Sequence, residues 1–165
     1  MVRRLCRGLG FGVVGAVVLS VGLAGATQNA PVAEAAMNGD QAAVTALIKQ
    51  AADVSAAQGD GMTALHWAAM RGDVEMARML LFAGANVKAS TRIGAYTPLY
   101  LASQQGSADV IKALIEAGAD AKAGTPNGTT ALMAAAQAGT TGAVAALIDA
   151  GADVNAKDGV RGQTP

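Results

Sequence analysis

Cysteine and histidine are almost absent from this 165-residue chain, which contains one of each, Cys6 and His66. A disulfide requires two cysteines, and a structural zinc site requires about four cysteine or histidine ligands. A catalytic triad around His66 would need partners that the chain lacks. We therefore expect no disulfide, no metal, no cofactor and no catalytic residue, which indicates a chain that is not an enzyme.

Aromatic and charged side chains are also scarce. Aromatic residues make up 3% of the chain and charged residues 15%, whereas 52% of the residues are hydrophobic. Alanine inflates that hydrophobic content, so the core must consist mainly of small side chains. Closely stacked helices suit such a core better than a large globule, and the length fits one domain of ordinary size.

The N-terminal segment differs from the rest of the chain. Three arginines within the first seven residues form a basic head, and residues 8–26 carry no charge. Ala24 and Ala26 place small residues at both positions that a signal peptidase inspects, which predicts a bacterial-type secretory signal at 1–26 and export to the periplasm. Because the uncharged run approaches the length that spans a bilayer, an uncleaved inner-membrane anchor at residues 8–26 is the alternative.

Removal of this signal would change the charge of the chain. Nine lysine and arginine residues would remain against 12 aspartate and glutamate residues, so the mature protein would carry a net charge of −3 and no cysteine. A nucleic-acid-binding surface needs a net basic stripe. We therefore expect no nucleic-acid partner.

Three landmarks recur along the chain with one shared period. Four threonines are spaced by 34, 33 and 34 residues: Thr63, Thr97, Thr130 and Thr164. Four glycines are spaced by 33, 34 and 33 residues: Gly39, Gly72, Gly106 and Gly139. A third set of glycines precedes an Ala-Asn or Ala-Asp pair: Gly84, Gly118 and Gly151. A common period of this length indicates an internal structural repeat.

Each landmark has a local role in the predicted repeat. A threonine at the start of a helix can accept a hydrogen bond from a backbone N–H of the first turn, and Pro98 suits the first helical position. A helix of about two turns follows and ends where a glycine such as Gly72 adopts the left-handed conformation. The spacing predicts a second helix from about Asp73 to Ala83, whose apolar face contains Leu80 and Leu81.

These features together resemble an ankyrin repeat. The segments TALHWAA at 63–69, TPLYLA at 97–102 and GADVNA at 151–156 are similar to the family motif, over about residues 30–165. The resemblance implies an all-α solenoid of stacked helix-turn-helix units with hairpin-like turn fingers. It also implies that the histidine of the motif helps to tie neighbouring loops together.

Two repeats depart from the motif at this histidine. Tyr100 and Met133 occupy the position that His66 occupies in the clearest copy. A position that accepts three residue types within one chain does not suit a catalytic base. We interpret His66 as a buried imidazole that joins backbone groups near Thr63, and we expect the repeats without histidine to be less rigid.

The period divides the chain into successive units after the signal. They are an imperfect N-terminal repeat at 27–57, repeats at 58–91, 92–124 and 125–158, and the start of a further repeat at 159–165. A repeat array normally ends in a capping unit with a polar outer face. Because no such unit is present, we interpret the sequence as an N-terminal fragment of a longer array, and we expect its last repeat to expose apolar residues.

The resemblance also implies a binding surface. In ankyrin arrays the turn tips and the first helices line a concave groove, where residues that the fold does not require can contact a partner protein. Carried over position by position, the candidates are Asp60, Met62, Trp67, Met70, Arg71, Arg92, Ile93, Tyr96, Gln104, Gln105, Asn127, Thr129, Gln137, Arg161 and Gln163. Trp67 could be an interface anchor or a filler between repeats.

The sequence therefore predicts a monomeric, non-catalytic scaffold that binds an unknown partner protein through its concave face. The alternative is the recognition arm of an enzyme or sensor whose working domain lies beyond Pro165. Residues 153–159 resemble the start of a calcium loop, but Lys157 occupies a ligand position and no glutamate closes the loop. This segment is better explained as the end of one repeat and the linker to the next.

Overall fold

The computed structural model describes residues 30–165, and the predicted signal at 1–26 and the alternative anchor at 8–26 lie outside this range. Eight α-helices occur within it. They are α1 (Pro31–Asn38), α2 (Gln41–Lys49), α3 (Ala64–Arg71), α4 (Val74–Phe82), α5 (Pro98–Gln105), α6 (Ala108–Glu116), α7 (Ala131–Ala138) and α8 (Thr141–Asp149). The only β-type pairing in the described range is an isolated antiparallel bridge between Gly124 and Thr130.

The helices stack as two rows. The first helices of the repeats, α1, α3, α5 and α7, pack side by side, and α4, α6 and α8 do the same behind them. Each first helix also packs on the second helix of its own repeat. This arrangement confirms the all-α solenoid that the repeat predicted.

The helix ends follow the sequence landmarks closely. Gly72 ends α3 in the left-handed conformation with φ of 66°, and the equivalent glycines after α1, α5 and α7 have φ of 73°, 77° and 69°. The predicted second helix at Asp73–Ala83 forms as Val74–Phe82, with the two outer residues as its caps. The Asp73 carboxylate accepts the Met76 N–H at 3.0 Å, which satisfies one of the free donors of the first turn.

The threonines at the helix starts do not all act alike. The Thr97 and Thr130 hydroxyls accept the backbone N–H three residues later, at 3.2 and 3.3 Å, as predicted. The Thr63 hydroxyl instead lies 2.8 Å from Nδ1 of His66. The difference arises because only this repeat has an imidazole at the third helical position.

Small side chains fill the core between the two rows. Ala68 and Ala69 of α3 are fully buried, together with Leu65, Met76 and Leu80. Leu81, which the sequence placed on the same apolar face as Leu80, is only partly buried. Alanine at the contact positions allows the helices to approach closely, as the composition predicted.

Apolar side chains are exposed in the last described repeat. Ile148 is 45% exposed and Val154 is 49% exposed, whereas their equivalents Ile115 and Val87 in inner repeats are partly buried. Across residues 30–165, every helix is too short or too polar to cross a membrane.

Candidate functional site: the finger face

Turns precede four helices and project in one row. We call them finger 58–63, finger 91–97, finger 124–130 and finger 158–163, and we call the surface that they form with the first helices the finger face. A backbone hydrogen bond closes each finger: Gln58 N–H to Met62 O, Thr91 N–H to Tyr96 O, Thr125 N–H to Thr129 O and Asp158 N–H to Gln163 O, with distances from 2.8 to 3.0 Å. The second and fourth fingers enclose one residue more than the other two.

His66 joins its own helix to the next finger. Nδ1 of the imidazole accepts the Thr63 N–H at 3.1 Å, and Nε2 lies 3.0 Å from the carbonyl oxygen of Tyr96. A carbonyl can only accept and an N–H can only donate, so these partners require the neutral tautomer with its proton on Nε2. The side chain is fully buried. The sequence-based interpretation of His66 as a structural imidazole agrees with this geometry.

Burial determines the charge state of this imidazole. Burial lowers the pKa of His66 below its ordinary value, and the hydrogen bond to Tyr96 opposes this effect only in part. Protonation of Nδ1 would place a second N–H against the Thr63 N–H. His66 therefore remains neutral and positions finger 91–97 through its bond to Tyr96.

The two repeats without this histidine use other contacts at the same position. The Tyr100 ring stacks on Tyr96 with centroids 4.9 Å apart and an interplanar angle of 16°. Burial raises the pKa of the Tyr100 hydroxyl. In the fourth repeat the Met133 sulfur lies 3.5 Å from the Thr130 nitrogen and serves as a weak acceptor.

The fingers are linked to one another in pairs. The Arg92 N–H donates to Asp60 O at 2.8 Å, which joins finger 58–63 to finger 91–97. The Gly159 N–H donates to Asn127 O at 2.7 Å, which joins finger 124–130 to finger 158–163. Among the residues described, no backbone hydrogen bond joins finger 91–97 to finger 124–130.

Two residues explain this gap. Pro126 occupies the position that is equivalent to Arg92 and Gly159, and proline has no N–H to donate. On the other side of the gap, the Ile93 carbonyl already accepts the Thr91 hydroxyl at 2.7 Å. The middle pair of fingers therefore has neither the donor nor a free acceptor.

A groove of about 280 Å³ occupies this gap. Its lining is entirely uncharged and consists of Gly94, Tyr96, Tyr100, Thr125, Pro126, Asn127 and Thr129. Ile93, at the edge of the same gap, is 80% exposed. Two tyrosines, a proline and an isoleucine thus surround a shallow site with amide and hydroxyl groups that can bond a backbone. We call this site the middle groove.

Most of the candidate binding residues predicted from the sequence lie exposed on the finger face. The exposed ones are Asp60, Met70, Arg71, Arg92, Ile93, Tyr96, Gln104, Gln105, Asn127, Gln137, Arg161 and Gln163. Four of the candidates line or border the middle groove: Ile93, Tyr96, Asn127 and Thr129. The carboxylate of Asp158 holds Arg161 and Gln163 by accepting both backbone N–H groups at 2.9 Å, and these bonds lower its pKa.

Met62, Thr129 and Trp67 differ from the other candidates in burial. Met62 is only 9% exposed and packs in the core, so its side chain offers little surface to a partner. Thr129 is partly buried. Trp67 is half-buried against the core, and its Nε1–H donates to the Gln58 side chain at 2.8 Å. The tryptophan therefore acts at least as a packing element that fixes the base of finger 58–63.

The sequence reasoning missed Gln58, Thr91, Tyr100 and Pro126 as parts of this face. Pro126 was the one with a readable signal, because a proline at a position where other copies have a donor must break a bond. The contacts of Gln58 and Thr91 depend on finger conformation and have no signature in the repeat period.

The architecture is that of a helix-turn-helix repeat solenoid, and comparison with known families identifies which one. A family model described as ankyrin repeats in many copies matches residues 32–81, and one described as ankyrin repeats in three copies matches residues 86–158. The chain belongs to the ankyrin-repeat family, whose repeats generally mediate protein–protein interaction and are typically non-catalytic. A search of curated proteins found no significant match.

Proposed function

We propose that this protein is a non-catalytic scaffold that binds a partner protein through its concave face, which is the finger face described above. The middle groove carries this proposal. It is uncharged, contains two tyrosines, and is bordered by an isoleucine that is 80% exposed. Tyrosine supplies a large, rigid contact area, and aromatic residues are enriched at protein interfaces.

The chemistry of the groove suits an uncharged, extended segment of the partner. Asn127 and Thr125 offer an amide and a hydroxyl that can bond the main chain of such a segment, while Tyr96 and Pro126 contact its apolar side chains. The charged candidates lie outside the groove lining, and Arg71 and Arg161 would contribute mainly to the rim. Charges at a rim affect the association rate and its salt dependence more than they affect affinity.

The network around His66 preorganises this site. Thr91 and Tyr96 close finger 91–97 on both sides, and His66 holds the Tyr96 carbonyl from the preceding repeat. A finger that is already fixed loses less conformational entropy on binding. We infer that the buried imidazole supports binding indirectly, by positioning the residues that contact the partner.

Site-specific photo-crosslinking in the native cells tests the proposal. A photoreactive residue at Ile93 should crosslink to one partner, whereas the same residue at the exposed Glu75, in the second row of helices, should not. Replacement of Tyr96 and Asn127 by alanine should remove the Ile93 crosslink while the protein stays folded. Crosslinks that form from Glu75 and not from Ile93 would contradict binding through the finger face.

We also propose that the array acts in the periplasm after cleavage following Ala26. The basic head, the uncharged run at 8–26 and the small residues before the cleavage point support this proposal. Mass spectrometry of the protein from fractionated cells should show an N-terminus at Thr27 in the periplasmic fraction. Recovery of the uncleaved chain in the membrane fraction would favour the anchor instead.

A further inference from the structure

Phe82 is 96% exposed, more than any other large hydrophobic residue in the described range. It is the last residue of α4. The equivalent positions at the ends of α2, α6 and α8 are Lys49, Glu116 and Asp149, all charged. A position that elsewhere in the array carries a solvated charge therefore carries a phenylalanine in water.

A shallow groove of about 530 Å³ adjoins Phe82 between α4 and α6. Its apolar part consists of Leu81, Ala113 and Ala117, and its two charged residues are Arg78 and Glu116. These residues belong to the second row of helices, so the patch is separate from the finger face. We call these six residues the Phe82 patch. The patch combines an exposed aromatic ring, an apolar floor, one cation and one anion.

We propose that the Phe82 patch is the contact between two copies of this chain, related by a two-fold axis. In such a contact each residue of the patch meets a residue of the same patch on the other copy, so the surface must be complementary to itself. A patch with one cation and one anion meets this condition, because Arg78 of each copy can pair with Glu116 of the other. Both phenylalanines are then withdrawn from water together.

Charge complementarity favours a second copy over other occupants. A basic or acidic partner surface would satisfy only one of Arg78 and Glu116 and would bury the other against a like charge or without a partner. The small size of the patch implies weak association, since stable interfaces generally bury more than about 1,200 Å² in total. The expectation of a monomer then applies to dilute protein only.

Sedimentation equilibrium over about a hundredfold range of concentration measures this association directly. The wild-type chain should show a reversible monomer–dimer equilibrium. Phe82→Lys, which introduces the lysine that α2 has at this position, should raise the Kd by about thirtyfold, the effect of removing an interface hot spot. Ile93→Ser, which removes an exposed apolar side chain from the finger face, should leave the Kd unchanged.

A charge exchange tests the symmetry of the contact. Arg78→Glu alone and Glu116→Arg alone should each weaken self-association, because each homodimer would then contain two repulsive pairs. A mixture of the two variants should associate as the wild type does, since both cross pairs are attractive again. Circular dichroism would verify that each variant has wild-type helix content.

The outcomes are distinct. Loss of the dimer in each single variant and its return in the mixture support the two-fold contact. A wild-type chain that remains monomeric across the whole range overturns the proposal, and so does a dimer that Phe82→Lys leaves intact. A mixture that fails to associate, although both variants are folded, also overturns it.

Discussion

Nε2 of His66 lies 3.0 Å from the carbonyl oxygen of Tyr96, 30 residues further along the chain. Through this contact the start of α3 supports the finger that precedes α5. The same carbonyl also accepts the Thr91 N–H, so one oxygen closes its own finger and attaches it to the preceding repeat. The only histidine of the chain thus stabilises a binding surface that it does not itself line.

The stability of the protein should decrease as the pH falls through about 6.5, the pKa of histidine in the unfolded chain. Burial lowers the pKa of His66 in the folded state, so below pH 6.5 the unfolded chain binds a proton that the folded chain does not. The contribution of the neutral imidazole is complete above this pH and is lost as the pH falls towards the folded-state pKa. Urea unfolding at several pH values between about 5 and 8 measures the effect.

His66→Met is the matched control for this titration, since Met133 already occupies the equivalent position in the fourth repeat. The variant should lose the component of the pH dependence that lies between the two pKa values. An unchanged slope in the variant would show that another group is responsible.

The period of threonines and glycines was sufficient to predict the helices. Gly72 and its equivalents mark helix ends because their left-handed φ excludes most other residues, and Asp73 marks a helix start because its carboxylate caps the first turn. Local chemistry of this kind is readable directly from sequence. The repeat boundaries at 57/58, 91/92 and 124/125 stay predictions.

The surface was harder to predict, because it depends on contacts between repeats. Met62 has the same sequence position as exposed finger residues, yet its side chain turns into the core. The middle groove arises from a missing bond between fingers, which the presence of Pro126 could have revealed. Phe82 could have been found by comparison with Lys49, Glu116 and Asp149, since a solvent-exposed charge had been replaced by an aromatic ring.

Ala51→Gly should stabilise the first repeat by about 1 kcal/mol. Ala51 has φ of 57°, at the position where the later repeats have Gly84, Gly118 and Gly151 with φ of 83° to 91°. A Cβ atom is strained in this conformation and a glycine is not. Thermal unfolding should show an increase in Tm of about 3 °C for a domain of this size.

Ala117→Gly provides the control, because Ala117 follows α6 with an ordinary φ of −81°. Here glycine only adds conformational entropy to the unfolded chain, so the Tm should stay the same or fall slightly. Equal effects from both substitutions would mean that the left-handed φ of Ala51 is not the source of the gain.

Trp67 and Gln58 should show a favourable coupling of about 1 kcal/mol in a double-mutant cycle. The indole N–H donates to the Gln58 side-chain oxygen at 2.8 Å in a partly buried setting. Trp67→Phe keeps most of the ring area and removes the donor, while Gln58→Leu removes the acceptor. Unfolding free energies of the wild type, both single variants and the double variant give the coupling, and a value near zero would show that Trp67 acts through packing alone.

Met133→His should transfer the His66 arrangement to the fourth repeat. The Thr130 nitrogen, now 3.5 Å from the Met133 sulfur, would donate to the new Nδ1, and the Gln163 carbonyl occupies the place that Tyr96 O has in the second repeat. Gln163 O already accepts the Asp158 N–H at 2.9 Å, as Tyr96 O accepts that of Thr91. The second bond should stabilise finger 158–163 by about 1 kcal/mol.

Amide hydrogen exchange reports this gain locally, and amides in finger 158–163 should exchange about fivefold more slowly in Met133→His. Met133→Leu, which keeps an apolar side chain but removes the sulfur acceptor, should give no protection. If the imidazole left exchange in this finger unchanged, the bond between His66 and Tyr96 would depend on features of finger 91–97 that finger 158–163 lacks. The stacked Tyr96 and Tyr100 rings would then be the first such feature to examine, because Gln163 has no ring to stack.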